Sequence, residues 1–230
     1  MKVLAIDTSN DVMGVAIVDD NKVIGELITN VKKNHSVRLM PAIEKLLNET
    51  DVKVSELDRI VVAEGPGSYT GVRIGVTVAK TLAWSLNIEL VGVSGLESLA
   101  YNGRYFNGLI VPIFDARRGQ VFTGLYQWND GMLESVMSDK MVIFSELLTE
   151  LKERNEPVLF VGNDVDLHRE LIVDILGDNA IIANFVQNNP RPSELAGCGL
   201  LKQPVDVHSF VPNYLRLAEA EANWLKAQKK

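Results

Sequence analysis

The sequence predicts a two-lobed α/β fold made from one supersecondary unit used twice, and three observations point to it. Runs of strand length and segments of helical period follow one another as β-β-β-α-β-α-β in the first half, and the same order returns in the second. Both halves open on an apolar strand ending in aspartate, Ile6-Asp7 and Phe114-Asp115. At 230 residues the chain can bury a sizeable core, as one large domain or two small ones. Two such units facing each other leave a cleft with the aspartates at its floor.

In the first half, Lys2 to Ile6, Met13 to Val18 and Lys22 to Thr29 read as strands, with Asp19-Asp20-Asn21 as a hairpin turn between the last two. Leu39, Met40, Ile43, Leu46 and Leu47 keep helical spacing over Ser36 to Asn48, with Pro41 expected in or near the first turn. Arg59 to Ala63 is a buried strand, Thr70 to Asn87 a helix and Glu89 to Val93 another strand. In the second half, Leu109 to Phe114, Val121 to Tyr126 and Met132 to Val136 are strands around the turns Arg117-Arg118-Gly119 and Asn129-Asp130-Gly131. Ser145 to Arg154 is helical, Val158 to Val161 a strand, Leu167 to Leu176 helical and Ala180 to Ala183 a strand; Ser193 is the expected N-cap of a helix running to Leu201. The tail from Asn213 to Lys230 reads as an amphipathic helix whose terminal lysines suit the negative end of the helix dipole. The expected division is a first lobe over 1–105 and a second over 106–212, with the 213–230 helix packing back on the first.

Composition narrows the function. With 47% hydrophobic and 23% charged residues the chain is an ordinary globular protein, and no run is long enough to cross a membrane. A net charge of -7 argues against tight, autonomous binding to nucleic acid, which needs a basic face to displace phosphate counterions. Any such role needs a partner's surface. The single cysteine, Cys198, sits between glycines and forms no internal disulfide, which fits a cytoplasmic setting. Asp7 interrupts the N-terminal apolar run too early for a signal peptide, so the mature chain is expected to start at Met1.

The segment from Arg59 to Lys80 concentrates the chemistry. It is a buried strand, the turn Gly65-Pro-Gly-Ser-Tyr-Thr-Gly71, and a helix whose polar residues Arg73, Thr77, Lys80 and Thr81 make one narrow stripe. A helix with so little polar surface should be covered on more than one side. Gly71, Gly75, Ala79 and Ala83 recur every four residues, along a face that admits close backbone approach. The turn is a near miss to two phosphate motifs: Val72 stands where a P-loop needs lysine, and Gly71 follows Gly67 by four residues where the dinucleotide fingerprint needs three. Nucleotide candidates are Asp7, Thr8 and Ser9, offering a carboxylate for hydrated magnesium and hydroxyls for phosphate, with Gly65, Gly67 and Ser68 of the turn and Arg118 of the second hairpin. The plain alternative is that Asp-Thr-Ser ends a strand and the glycines make a tight strand-to-helix turn. In the second hairpin, arginines stand where a phosphate-wrapping loop would carry glycines. His35, His168 and His208 make no metal pair at helical spacing, and no nucleophile elbow occurs.

Together, Val3-Leu-Ala-Ile-Asp-Thr-Ser9, Gly65-Pro-Gly-Ser-Tyr-Thr-Gly-Val-Arg-Ile-Gly75, Asp115-Ala-Arg-Arg-Gly119 and Pro212-Asn-Tyr-Leu-Arg216 resemble the bacterial TsaB family, also called YeaZ. The resemblance implies an actin-like, sugar-kinase-like fold and a part in placing threonylcarbamoyl on the adenosine next to the anticodon of tRNAs that read codons beginning with A. It implies the paralogue TsaD and the small ATPase TsaE as partners, with tRNA reached only through the complex. ATP and threonylcarbamoyl-AMP would be used by that complex, and the metal held by TsaD on a His-x-x-x-His pair. Here those positions are Gly95 and Leu99, neither of which binds metal, so the chain is expected to be the non-catalytic paralogue with no cofactor of its own.

The expected TsaD interface is the pair of helices Ser36 to Asn48 and Thr70 to Asn87. Gly71, Gly75, Ala79 and Ala83 would allow close approach, and Leu39, Ile43 and Val76 would supply apolar area. On that expectation Gly75→Leu weakens heterodimer formation and spares the fold; if the glycines pack on their own sheet, it damages the fold instead. Three other readings stay open: an ATP-dependent phosphotransferase of the same fold, a metallopeptidase-like protein, and a homodimer on the same helices.

Overall fold

In this computed structural model the described residues are 1–216. Most of the expected tail helix, from residue 217 on, lies outside them.

The first sheet is formed by β1 (Lys2–Asp7), β2 (Val12–Asp19), β3 (Lys22–Asn30), β4 (Arg59–Gly65) and β5 (Glu89–Ser94), in the order β3-β2-β1-β4-β5. β1 pairs antiparallel with β2 and parallel with β4. The second sheet repeats the pattern. β6 (Leu109–Pro112) and β7 (Phe114–Arg117) together occupy the place of β1, flanked by β8 (Gln120–Asn129), β9 (Met132–Ile143), β10 (Val158–Val161) and β11 (Ala180–Ile182). The single run expected from Leu109 to Phe114 is thus two short strands, both paired with β8.

Alternation of side chains along the inner strands gives each sheet two apolar faces. In the first sheet, Leu4, Ile6, Val15, Ile17, Ile60 and Val62 face α1 (His35–Glu49) and α2 (Tyr69–Leu86). Val3, Ala5, Val61 and Ala63 face the other way, onto Leu195, Ala196 and Cys198 of α6 (Pro192–Leu200). In the second sheet, one face packs on α4 (Phe144–Arg154) and α5 (Arg169–Leu176). The opposite face packs on Leu96, Leu99 and Ala100 of α3 (Gly95–Ala100). The helices α3 and α6 are therefore exchanged: each ends one half of the sequence and covers the sheet of the other half. Residue 105 separates the two sets of strands but not the two packed bodies.

Two local expectations are corrected. Pro41 stands in the interior of α1, seven residues along and on its exposed side, where its missing N–H leaves one helical hydrogen bond unmade. Ser193 does not cap α6. The helix starts with Pro192 after Arg191, and the Ser193 amide and hydroxyl donate instead to Glu26 of β3 at 2.9 and 2.6 Å.

Candidate functional site

The glycine turn after β4 is closed by the chain itself. Ser68 caps α2, its hydroxyl accepting from the Gly71 amide at 3.3 Å, while its own amide donates to the Ser9 carbonyl at 2.7 Å. Thr8 Oγ1 donates to the Gly71 carbonyl at 2.7 Å. A Cβ built on Gly67 would lie 2.1 Å from Ser9 O, one on Gly71 2.2 Å from Thr8 O, and one on Gly65 2.6 Å from Asn213 O. Glycine is required here because neighbouring backbone fills the space a side chain would take.

Asp7, Thr8 and Ser9 are buried to 2%, 1% and 0% exposure. Asp7 Oδ1 accepts from the Ser9 amide (2.8 Å) and hydroxyl (2.7 Å), and Oδ2 has no partner. Burial, opposed by the Ser9 hydrogen bonds, holds this carboxyl above its ordinary range. Its Oδ1 is thus turned onto its own loop. The nucleotide candidates Asp7, Thr8, Ser9, Gly65, Gly67 and Ser68 are brought together in one joint between the β1–β2 turn and α2. Arg118 is elsewhere, exposed on the β7–β8 hairpin.

On the second sheet, the Asp115 amide donates to Asp164 Oδ2 at 2.8 Å, and His168 Nε2 lies 3.3 Å from Asp115 Oδ1. Three ties join the lobes. The hydroxyls of Ser94 and Tyr126 both donate to Asp139. The 212–216 segment crosses from one lobe to the other, its Asn213 amide on the Glu64 carbonyl (2.7 Å) and its Arg216 Nη1 on the Ala116 carbonyl (3.0 Å). Asn189 Oδ1 accepts from Asn30 of the first sheet (3.1 Å) and from Asn163 beyond β10 (2.9 Å). The loop from Asn184 to Arg191, the most linker-like in sequence, is pinned on both sides.

The interface candidates are likewise redistributed. Leu39, Ile43, Gly71, Gly75, Val76, Ala79 and Ala83 are all buried in this chain's own core. The small-residue stripe lets α2 lie close on β1 and β4, and Ile43 lines the groove described below. Gly75 faces Thr8, Val62 and Ile6. The open face lies next to it: Ile74, Val78 and Leu82 form a half-buried row at i, i+4 and i+8. Beside this row runs a groove of about 430 Å3 whose lining includes Met40, Glu44, Leu47 and Leu82, with Met40 47% exposed. Both stripes keep the four-residue spacing of α2, one of small residues and one of larger apolar residues.

A second groove, of about 690 Å3, lies at the far end of the first sheet between β5 and Pro204–Val205. Among the described residues no group of three or more His, Cys, Asp or Glu side chains is arranged to hold a metal, and no helix is long and apolar enough to cross a membrane.

A model of the TsaD family, described as tRNA N6-adenosine threonylcarbamoyltransferase, matches residues 22–224. The tRNA threonylcarbamoyladenosine biosynthesis protein TsaB of Bacillus subtilis (strain 168) is 59% identical over 229 residues, covering 100% of both chains. Among solved structures, YeaZ from Pseudomonas aeruginosa superposes with a TM-score of 0.75 at 25% identity, over 93% of this chain and 99% of that one. The ADPNP-bound activator of 2-hydroxyisocaproyl-CoA dehydratase from Clostridium difficile superposes with a TM-score of 0.50 at 12% identity, over 100% and 98%, which bears on the fold alone. The fold is actin-like, in agreement with the duplicated unit read from the sequence.

Proposed function

Because the chain belongs to the TsaB family of tRNA threonylcarbamoyladenosine biosynthesis proteins, we propose that it is a non-catalytic, cytoplasmic subunit that pairs with the paralogue TsaD, alongside TsaE. The observation that carries this reading is the open apolar row Ile74, Val78 and Leu82 beside the Met40–Leu47 groove, on the two helices of the first lobe. Partner helices laid along it would complete a helical bundle, and the row would supply the apolar centre that a stable interface needs. The docking element is the first lobe; tRNA, ATP and threonylcarbamoyl-AMP are handled by the assembled complex, with its metal on TsaD.

Two features support a non-catalytic role. Gly95 and Leu99 stand at the positions of the His-x-x-x-His pair, and Leu99 is fully buried against the second sheet. The glycine turn is filled by Thr8, Ser9 and Asn213, which disfavours a phosphotransferase. In the absence of TsaD, the same face on a second copy of this chain would form a homodimer.

The test is reconstitution of the modification from TsaD, TsaE, threonylcarbamoyl-AMP and tRNA, with and without this chain. Modification is expected to depend on it; equal yield without it would overturn the scaffold reading.

A further inference from the structure

The ten arginines of the chain separate into distinct groups. Five of them, Arg59, Arg104, Arg154, Arg169 and Arg191, pair with carboxylates. Arg38 and Arg73 donate to Thr29 and Tyr69 hydroxyls. The remaining three, Arg117, Arg118 and Arg216, converge on the β7–β8 hairpin, and among the described residues none of them is in a salt bridge.

The hairpin has an unusual backbone. Arg117 (φ 65°), Arg118 (φ 58°) and Gly119 (φ 71°) are all left-handed. Asparagine or glycine sits in that region at less cost than arginine, and backbone strain of this kind concentrates at functional positions. The tip is also hydrogen-bonded to its surroundings: the Gly119 carbonyl accepts from the Phe144 amide at 2.9 Å and the Ala116 carbonyl from Arg216 at 3.0 Å. Arg117, Arg118 and Gly119 are exposed, and a Cβ on Gly119 would meet nothing within 4 Å. An exposed cationic tip thus stands on a chain of net charge -7.

The geometry points to a contact with the sugar-phosphate backbone of RNA, made by Arg117 and Arg118 on a base fixed by Arg216. This rests on the reading that the chain works in tRNA modification. The guanidinium fork matches phosphate oxygens in a bidentate way, and such contacts position a nucleic acid without reading its sequence. An acidic protein surface is the lesser fit, because protein interfaces are organised around a desolvated apolar centre and the tip has none. With a net charge of -7 the chain adds this contact to an RNA held mainly by its partners.

The test measures tRNA affinity of the assembly with TsaD and TsaE across a salt series, for the unmodified chain and for Arg117→Asn/Arg118→Asn. Asparagine tolerates the left-handed backbone and removes the charge. The expected result is roughly tenfold weaker tRNA binding and a log-log salt slope shallower by about 1.5, since each lost phosphate contact removes about 0.7–0.9. The melting temperature should be equal or higher, and Arg118→Lys should keep most of the slope. Unchanged affinity and slope would overturn the proposal, as would a variant that fails to assemble with TsaD and TsaE without tRNA, which would make the tip a protein contact. If the unmodified chain assembles and supports modification, the scaffold reading stands whichever way the variant behaves.

Discussion

Gly75 of α2 and Thr8 of the β1–β2 turn touch so closely that a Cβ on the glycine would lie 2.5 Å from Thr8 Oγ1. That contact sets the distance between helix and sheet, and it separates residues that build the lobe from residues free to meet a partner.

Gly75→Ala is accordingly expected to destabilise the fold. Alanine gains about 1 kcal/mol in helix propensity, but overpacking against a buried hydroxyl costs about 1–3 kcal/mol. Thermal denaturation should show a lower melting temperature, and Gly75→Leu should be worse. An alanine variant that melts at or above the parent would mean that the joint relaxes freely.

Docking should respond to the neighbouring row instead. Met40 is half exposed on the α1 side of the groove, so Met40→Glu should leave stability within about 0.5 kcal/mol, as for other surface changes. It should weaken association with TsaD by about tenfold or more by charging the apolar centre of the interface. Sedimentation velocity of the mixed subunits reads this directly, and undiminished association would move the interface elsewhere.

Asp7→Asn separates a structural aspartate from one that serves a cation. Burial raises the Asp7 carboxyl above its ordinary 3.8, so the folded state holds the proton more tightly than the unfolded chain. Stability from this group is complete below that value and is lost as pH rises above it. The variant should therefore gain on the parent as pH climbs above 3.8, and should still support modification. Loss of modification in a folded variant would restore a chemical role to Asp7.

Glu26 has the opposite sign. Burial pushes its carboxyl up, but the hydrogen bonds from Arg191 and Ser193 outweigh it and leave it below the ordinary 4.5. Its stabilisation is present above 4.5 and is lost as pH falls through the depressed value. Glu26→Gln should cost about 1–3 kcal/mol at pH 7. In urea titrations that difference should shrink as pH is lowered below 4; a constant difference would mean the ion pair with Arg191 is not what holds β3 to α6.

Local patterns made much of this protein legible in its sequence. The strands were marked by apolar runs and turn signals, the helices by their spacing, and the repeated order of elements implied two lobes, to which the family resemblance added the actin-like fold. Binary pattern, cap and turn chemistry act over a few residues, so the sequence alone determines them. Tertiary structure alone decided which surface each residue faces. A stripe of glycine and alanine four apart is equally suited to a sheet or to a partner helix, and only the arrival of Thr8 and Val62 assigns Gly75 to the sheet. The same holds for the exchange of α3 and α6, the tether from Glu26 to Ser193, and the strap from Glu64 to Ala116. Each joins residues dozens to more than a hundred positions apart, and no local preference specifies which distant backbone will fill a given space.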